Sequence, residues 1–430
     1  MPMSKFSFRS TGGRLAAVAV TAALVLSACG SSDGGGGKSA APTTDPDAPA
    51  LTGTPVKLGL AIALTGPKAD ATKNIVDIAE GWVVRANSTG GIGGRPVELV
   101  VKDTKSDAST AQTAVKDLVE SEKVAAIFIN DTGTEGAIGD YLEDSGVPVI
   151  GAEGYNTELW GVKPSFYTYW LDIPGTIYAS PHVAKTLGSE NFAAISCSES
   201  AACAQAEQIY EPASEGLGMT WSGMLTIAAS APDYTAECLT LIERDVDFVI
   251  LSVVSSVATR VVSDCLQQGY DGYFGSTAGG FEEYLFEEVP GAKIAGALHA
   301  FPWFTDDEPV VAYREFLETY APDAEYRSGM MSAMYAGLEL FHQAVADVEG
   351  DLTPEVVKQA YADMPETTLD GLLPQPFKVT PGEPVAKGAC YWPYEYDTTT
   401  GDLTVLEVEG EPGNGAEGSL ATACIPELQD

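Results

Sequence analysis

Residues 90–99, Gly90-Gly91-Ile92-Gly93-Gly94-Arg95-Pro96-Val97-Glu98-Leu99, form a glycine-rich turn that leads into an apolar strand. The strand is predicted over Pro96 to Lys102. The segment before the turn, Lys73 to Asn87, places its apolar residues on one helical face, at Ile75, Ile78, Ala79 and Trp82. Helix, turn and strand in this order predict one repeat of an α/β sheet.

The same alternation continues on both sides of this turn. Apolar runs predict strands over Val56 to Ala63, Val124 to Ile129 and Val147 to Ile150. Apolar residues at helical spacing predict helices over Ser109 to Ser121 and Glu135 to Ser145. Apolar strands that alternate with amphipathic helices indicate a parallel sheet covered on both faces.

A second α/β unit follows in the chain. Strands are predicted over Phe192 to Ser196, Trp221 to Ile227, Asp247 to Ser252 and Tyr273 to Ser276. The intervening helices are predicted over Pro174 to Leu187, Gln205 to Leu217, Tyr234 to Arg244 and Val257 to Gln268. The fold class is therefore α/β, with two doubly wound parallel-sheet lobes. Ligands of such proteins bind where strand ends and helix N-termini converge, here in a cleft between the lobes.

The first 28 residues have the features of a secretory leader. A basic start is followed by the apolar run Leu15 to Leu26, which is too short to span a bilayer. Leu26-Ser27-Ala28-Cys29 comes next and resembles a lipobox, so Cys29 is predicted to carry diacylglycerol as the new N-terminus. An ordinary cleavage site with a chance cysteine is the alternative. Residues 29–50 are predicted to be a flexible tether, and the protein is expected to be extracytoplasmic and lipid-anchored to the cell membrane.

The chain is strongly acidic. Its formal net charge is −38, and it becomes about −41 once the leader with Lys5, Arg9 and Arg14 is removed. Because phosphate-backbone binding requires basic patches, nucleic acid is excluded as a partner. After the leader, the sequence contains no run of about 18 apolar residues, so no membrane span is predicted there. The acidity is interpreted as a solvated surface.

Six cysteines remain besides Cys29. An even number in an oxidising compartment suggests disulfides, although sequence alone allows many pairings. We expect pairing in sequence order, as Cys197 with Cys203, Cys238 with Cys265 and Cys390 with Cys424. A metal site is the alternative, but the chain has no CxxC motif and only three histidines, so no metal is expected.

Several short motifs occur in a characteristic order. They are Leu58-Gly59, Leu64-Thr65-Gly66-Pro67, Ala86-Asn87, the turn at 90–99, Asp103, Gly146-Val147-Pro148-Val149-Ile150 and Tyr335-Ala336-Gly337-Leu338-Glu339-Leu340. In this order they resemble the branched-chain amino-acid-binding (Leu/Ile/Val-binding) family of ABC-transporter substrate-binding lipoproteins, which has the type I periplasmic-binding fold. The resemblance extends from about Val56 to Asp363.

The resemblance implies two lobes joined by three hinge crossings. They are expected near Tyr167 to Trp170, Leu298 to Pro302 and Gly371 to Pro376. Lobe 1 is then residues 51–168 and 300–372, and lobe 2 is residues 169–299 and 373–430.

The resemblance also implies two ligand-binding loops in lobe 1. In the loop Asn130 to Thr134, Thr134 corresponds to the family's ligand-binding hydroxyl, and Thr132 is included in the predicted site. In the loop Gly151 to Thr157, the corresponding ligand segment is Gly154, Tyr155 and Asn156. Thr134 also begins a predicted helix, where free N–H groups and the helix dipole attract an anion. The alternative is that Thr134 only caps this helix.

Two departures from the family pattern affect the expected ligand. The lobe 2 loop Gly275 to Phe281 lacks the acid that usually holds an α-ammonium group, and Cys197 to Cys203 replaces an aromatic-glycine loop. Asp70 or Glu153 could supply the missing charge. Phe301 and Trp303, at a predicted crossing, are candidates for an apolar part of the cleft, and plain hinge packing is their alternative.

The resemblance implies an extracytoplasmic receptor of an ABC importer that captures an amino-acid-like or carboxylate-bearing solute. The expected partners are the small-molecule ligand and an ABC permease in the membrane. We expect a monomer that contains no cofactor. A ligand-sensing receptor for a signalling partner is the alternative. An enzyme is disfavoured because the GxSxG, SxxK and HExxH signatures are missing from the sequence.

Overall fold

A computed structural model describes residues 50–66, 68–151, 154–198, 206–277, 281–408 and 422–428, without the side chains of residues 70, 71 and 427. The predicted leader, Cys29 and all but the last residue of the predicted tether lie outside the described residues. No helix among those that the structure describes is both long and apolar enough to cross a membrane.

The first sheet consists of five parallel strands. They are β1 (Val56–Ile62), β2 (Val97–Asp103), β3 (Ala126–Asn130), β4 (Val149–Gly151) and β5 (Phe166–Tyr167), in the spatial order β2-β1-β3-β4-β5. Every pairing in this sheet is parallel. β1 lies between β2 and β3, so the chain changes direction across the sheet at the carboxyl ends of these strands. Ligands of doubly wound folds bind at such points.

Helices cover both faces of this sheet. In chain order they are α1 (Ala69–Thr72), α2 (Ile75–Ser88), α3 (Ala108–Lys116) and α4 (Glu135–Ser145). The predicted helix Ser109 to Ser121 continues beyond α3 as a π-helical segment, Asp117–Glu122. Alternate β1 and β3 residues enter two separate cores, because successive side chains of a strand point to opposite faces.

The second sheet is larger and mixed. Its strands are β6 (Asn191–Cys197), β7 (Thr220–Ile227), β8 (Phe248–Ser252), β9 (Tyr273–Ser276), β10 (Lys293–Leu298), β11 (Cys390–Asp397), β12 (Asp402–Val405) and β13 (Ala423–Cys424). The order is β12-β11-β10-β9-β8-β6-β7, and β13 pairs with β11. β6 to β10 are parallel, and β11 pairs antiparallel with β10, β12 and β13.

Eight further α-helices lie within the described residues. α5 (Ile173–Thr186) precedes the second sheet, and between its strands lie α6 (Glu207–Gly216), α7 (Thr235–Glu243), α8 (Ser255–Gln268) and α9 (Glu283–Phe286). Between β10 and β11 the chain forms α10 (Glu308–Tyr320), α11 (Gly329–Val345) and α12 (Pro354–Asp363). α11 packs on the first sheet, where Phe341 meets Phe128 edge-to-face with ring centroids 6.3 Å apart. The two-lobed α/β fold class is therefore confirmed, with antiparallel strands that the sequence did not predict.

Two disulfides lie within the described residues. Cys238 of α7 is bonded to Cys265 of α8, and Cys390 of β11 is bonded to Cys424 of β13. Both are among the three predicted pairs. Cys197 is also disulfide-bonded, while its predicted partner Cys203 lies outside the described residues.

Candidate functional site

At the carboxyl edge of the first sheet, Asp103 holds in place the loop that follows β1. Its carboxylate accepts hydrogen bonds from the backbone N–H groups of Leu64 and Thr65 at 3.0 and 3.2 Å, and from the Thr65 hydroxyl at 2.6 Å. Burial alone would raise the pKa of Asp103, but these bonds, together with the Lys105 N–H, lower it. Gly66 has φ +97°, and a Cβ there would lie 2.4 Å from the Lys105 carbonyl oxygen.

The loop after β3 contains Thr134, which precedes α4 and is only 1% exposed. Its hydroxyl donates to the carbonyl oxygen of Asp131 at 3.1 Å and accepts no N–H of α4. The helix-capping alternative therefore does not describe this side chain. Thr132, in the same loop, is half-buried. The carboxylate of Asp131 accepts a hydrogen bond from the buried Thr104 hydroxyl, which ties this loop to the end of β2.

Glu135 joins the two predicted ligand loops. Its Oε2 accepts hydrogen bonds from the backbone N–H of Asn156 and from the indole N–H of Trp160, each at 3.2 Å. The first turn of α4 and the segment Gly154 to Asn156 are therefore held side by side. The structure thus brings Thr134 and Asn156 into one region of the carboxyl edge.

The loop after β4 packs against the first predicted crossing. A Cβ at Gly154 would lie 2.5 Å from the Thr168 hydroxyl oxygen, so only glycine permits this approach. Tyr155, which is half-buried, meets Trp170 edge-to-face with ring centroids 6.0 Å apart. Trp170 in turn meets His299 edge-to-face at 4.6 Å. This Tyr155–Trp170–His299 row connects the loop with two of the predicted crossings.

Phe301 and Trp303 belong to other aromatic clusters. Phe301 is fully buried and meets Tyr313 and Tyr335 edge-to-face, with ring centroids 5.0 and 6.2 Å apart. Trp303 is 2% exposed and stacks on Phe281 at 5.8 Å. Both positions are compatible with hinge packing, and their role toward a ligand stays a prediction. The Asp70 side chain and all of Glu153 lie outside the described residues.

Arg327 connects segments of the two predicted lobes. Its guanidinium forms a bidentate pair with Glu325, with both distances 3.0 Å, and donates to Glu287 at 2.7 Å. The Arg327 carbonyl accepts the backbone N–H of Glu283 at 3.0 Å, and the Glu283 carboxylate accepts the indole N–H of Trp303 at 2.9 Å. Burial raises the pKa of Glu283 despite the opposing effects of Trp303 and Arg327. Periodicity could not reveal the contacts of Arg327 with Glu287 and Glu283, because these two residues are 40 or more positions away in the chain.

A cavity of about 1130 Å³ lies away from these loops. It is bounded by α10, α11, the turn Leu369–Gly371 and Trp392, and it is lined by none of the predicted ligand residues. Its volume alone does not make it the ligand site, because the strand ends and the first turn of α4 lie elsewhere. Within the described part of the chain, no group of three His, Cys, Asp or Glu side chains is arranged to hold a metal ion.

A family model described as periplasmic binding protein matches residues 55–399, which is more than half of the chain. A search of curated proteins finds no match.

Solved structures with the same fold have low sequence identity to this chain. A fatty acid ABC transporter substrate-binding protein from Thermomonospora curvata is 20% identical, with a TM-score of 0.69, over 84% of this chain and 93% of that one. A branched-chain amino acid transporter substrate-binding protein from Streptococcus pneumoniae, in complex with isoleucine, is 18% identical, with a TM-score of 0.67, over 83% and 99%. An ABC transporter solute-binding protein from R. palustris, in complex with 4-hydroxybenzoate, is 17% identical, with a TM-score of 0.66, over 85% and 99%.

Proposed function

This chain belongs to the periplasmic binding protein family, and we propose that it is the solute-binding receptor of an ABC importer. The observation that carries the proposal is the family match over residues 55–399, which includes the whole first sheet and strands β6 to β11 of the second. The receptor captures its solute outside the cytoplasm and delivers it to a permease in the membrane. It performs no chemistry on the solute.

The proposed ligand is a small carboxylate-bearing or amino-acid-like solute. The proteins of similar fold are described with isoleucine, with 4-hydroxybenzoate and as a fatty acid transporter component, and each of these solutes has a carboxyl group. The N-terminal turn of a helix leaves backbone N–H groups outside the intrahelical hydrogen-bond pattern, so the start of α4 is a position that can attract an anion without a buried cation. The proposed contacts are Thr132, Thr134, Gly154, Tyr155 and Asn156.

Two buried acids near this site hold the loops in place. Asp131 accepts from Thr104, and Glu135 accepts from Asn156 and Trp160. Their hydrogen bonds to protein groups support a positioning role, in which they fix the loops that carry the proposed ligand contacts. A ligand carboxylate would then be bound by N–H and O–H donors, while these two acids remain engaged with the protein.

Binding is proposed to occur by hinge closure between the two lobes defined above, 51–168 with 300–372 and 169–299 with 373–430. The loop Gly275 to Phe281 contains no acid of the kind that the family places there to hold an α-ammonium group, and the next acid in the chain is Glu282. This favours carboxylic acids over α-amino acids as ligands.

The receptor is proposed to be a monomer that remains at the membrane through a diacylglycerol on Cys29. The lipid keeps it near its permease, since a net charge of −38 would repel anionic headgroups.

A thermal-shift screen of the mature protein tests the proposed function. The panel contains amino acids, amides, short carboxylic acids and aromatic acids. A ligand that binds only the folded state stabilises it by about 2.7 kcal/mol at 100 times its dissociation constant. We expect carboxylic acids to raise the melting temperature and to be recovered unchanged after incubation. A panel without any stabilising acid, or conversion of the bound compound, would contradict the proposal.

A further inference from the structure

Two neighbouring side chains at two of the predicted crossings bury polar nitrogen atoms that have no hydrogen-bond partner among the described residues. His299 is 0% exposed and Trp170 is 1% exposed. Within the described residues, neither imidazole nitrogen of His299 nor the indole nitrogen of Trp170 has a hydrogen-bond partner. Buried polar groups are normally hydrogen-bonded, so three such atoms in adjacent rings require an explanation.

The position of the two rings connects them with the proposed ligand loop. Trp170 follows β5, and its backbone N–H donates to the Thr168 hydroxyl at 3.0 Å, against which Gly154 packs. His299 follows β10, and its ring lies 4.6 Å from that of Trp170. Trp170 also contacts Tyr155 of the loop. The two rings therefore adjoin the proposed ligand loop, and they lie at two of the predicted crossings.

The chemistry of the pair can be stated from its surroundings. Burial lowers the pKa of His299 to about 3, so the imidazole is neutral and offers one N–H donor and one acceptor. Trp170 offers one further donor. The two donors suit an oxygen atom that accepts hydrogen bonds, and the one acceptor can in addition receive a hydrogen bond from a hydroxyl. An ammonium group, which only donates, leaves both N–H groups without an acceptor.

We propose that Trp170 and His299 form the floor of the ligand site and bind a second oxygen function of the solute, beyond its carboxylate. The inference rests on the proposed function and narrows its substrate class to hydroxy, keto or dicarboxylic acids. A solute whose remaining part is wholly apolar, such as a branched-chain aliphatic acid, leaves the floor without hydrogen bonds. The floor thus selects against the solutes that the family resemblance alone suggests.

Two substitutions separate a binding role from a packing role. Trp170→Phe keeps an aromatic ring and removes the N–H, and His299→Phe removes both nitrogens. Removing an unpartnered buried polar group does not cost a hydrogen bond, so the melting temperature of the ligand-free variants should be unchanged or higher. Tyr361→Phe is the matched control. In the part of the chain that the structure describes, the Tyr361 hydroxyl is also buried without a partner, but it lies in α12, and its ring contacts Tyr167 and Phe377.

The experiment compares calorimetric affinities for paired acids, benzoate with 4-hydroxybenzoate and butyrate with succinate. We expect the unsubstituted protein to prefer the member with the second oxygen function. Trp170→Phe and His299→Phe should each reduce that preference by tenfold or more, while Tyr361→Phe leaves it unchanged. If His299→Phe does not fold, Trp170→Phe alone decides.

The possible failures are distinguishable. If the unsubstituted protein binds an acid but prefers benzoate and butyrate, which lack the second oxygen function, then Trp170 and His299 do not recognise such a function. If the variants keep the full preference of the unsubstituted protein, the nitrogens are satisfied by internal water and the inference is overturned. If no acid binds the unsubstituted protein at all, the proposed function itself fails.

Discussion

At the scale of single residues, the sequence predicted the position of Thr134 in the fold but not the hydrogen bond that its hydroxyl forms. The resemblance placed it at the start of a helix, and the structure has it directly before α4. Its hydroxyl donates to the carbonyl of Asp131, a contact three residues away that periodicity does not reveal. For a ligand to accept a hydrogen bond from this hydroxyl, the hydroxyl must turn from the Asp131 carbonyl oxygen to an oxygen of the ligand.

The substitution Thr134→Val tests that exchange. Hydrogen bonds to charged groups contribute about 1.5 to 3 kcal/mol, and about 1.4 kcal/mol is tenfold in affinity. We expect Thr134→Val to weaken binding of a carboxylic acid by roughly ten- to a hundredfold, as measured by calorimetric titration. Because the Asp131 carbonyl also accepts the Thr134 backbone N–H at 2.9 Å, folding should be little affected. Thr134→Ser keeps the hydroxyl and should retain binding, whereas equal affinities for all three proteins exclude the role.

The contacts of Trp170, His299 and Arg327 could not be predicted from the sequence. The rings of Trp170 and His299 are 129 positions apart in the chain, and Arg327 and Glu287 are 40 positions apart. The signal that was available is the predicted crossing Leu298 to Pro302, which contains a histidine within an apolar segment. Local pattern identifies such a residue but does not reveal what it touches.

At the scale of helices and strands, sequence periodicity was most successful where one face is buried. The helix predicted over Glu135 to Ser145 has these bounds in the structure. β11 was missed, because Pro393 interrupts a run of aromatic residues and a proline normally argues against a central strand. β11 nevertheless pairs with β10, β12 and β13, and it brings Trp392 beside Leu298 at the second crossing.

The disulfide between Cys238 and Cys265 couples two helices that flank β8. The crossover between parallel strands places α7 and α8 on one face of the sheet, and the two cysteines are 27 positions apart. A loop of this size contributes about 3 to 4 kcal/mol in the chain-entropy model. We expect the double variant Cys238→Ala, Cys265→Ala to lose stability of this order in chemical denaturation, with ligand affinity retained.

Non-reducing peptide mapping of the secreted protein provides the matching covalent test. It should yield peptides joined through Cys238 and Cys265, through Cys390 and Cys424, and through Cys197 and Cys203. The last pair is the informative one, because Cys203 lies outside the described residues. A peptide that joins Cys203 to Cys390 would show that the pairing in sequence order is wrong.

At the scale of the whole molecule, the proposed lipid anchor on Cys29 would keep the proposed receptor at the membrane. A single acyl chain binds membranes only marginally, whereas the two chains of diacylglycerol hold stably. We expect the Cys29→Ser protein to be released into the soluble extracytoplasmic fraction or to accumulate uncleaved. Cell fractionation and the mass of the N-terminal peptide measure this. A processed Cys29→Ser protein that stays on the membrane would contradict the assignment of Cys29 as the lipidated residue.

Closure of the two lobes around the solute is the remaining whole-molecule prediction. A solute that contacts both lobes binds the closed arrangement more tightly than the open one. The ratio of closed to open molecules shifts only as far as this difference in affinity allows. Small-angle scattering should therefore show a smaller radius of gyration at saturating carboxylic acid than without it. A scattering profile that does not change at saturation would indicate a rigid site.

The contacts of Arg327 extend this prediction to the protein without ligand. Arg327 pairs with Glu325 within one predicted lobe and with Glu287 in the other, and we expect this link between the predicted lobes to favour the closed arrangement. Arg327→Ala should enlarge the ligand-free radius of gyration and weaken binding modestly, since exposed ion pairs contribute about 1 kcal/mol or less. Arg314→Ala is the control, because Arg314 donates to the Trp303 carbonyl and pairs with Asp306 within its own segment. An equal response of both variants would show a general loss of charge and exclude a specific role of Arg327 in closure.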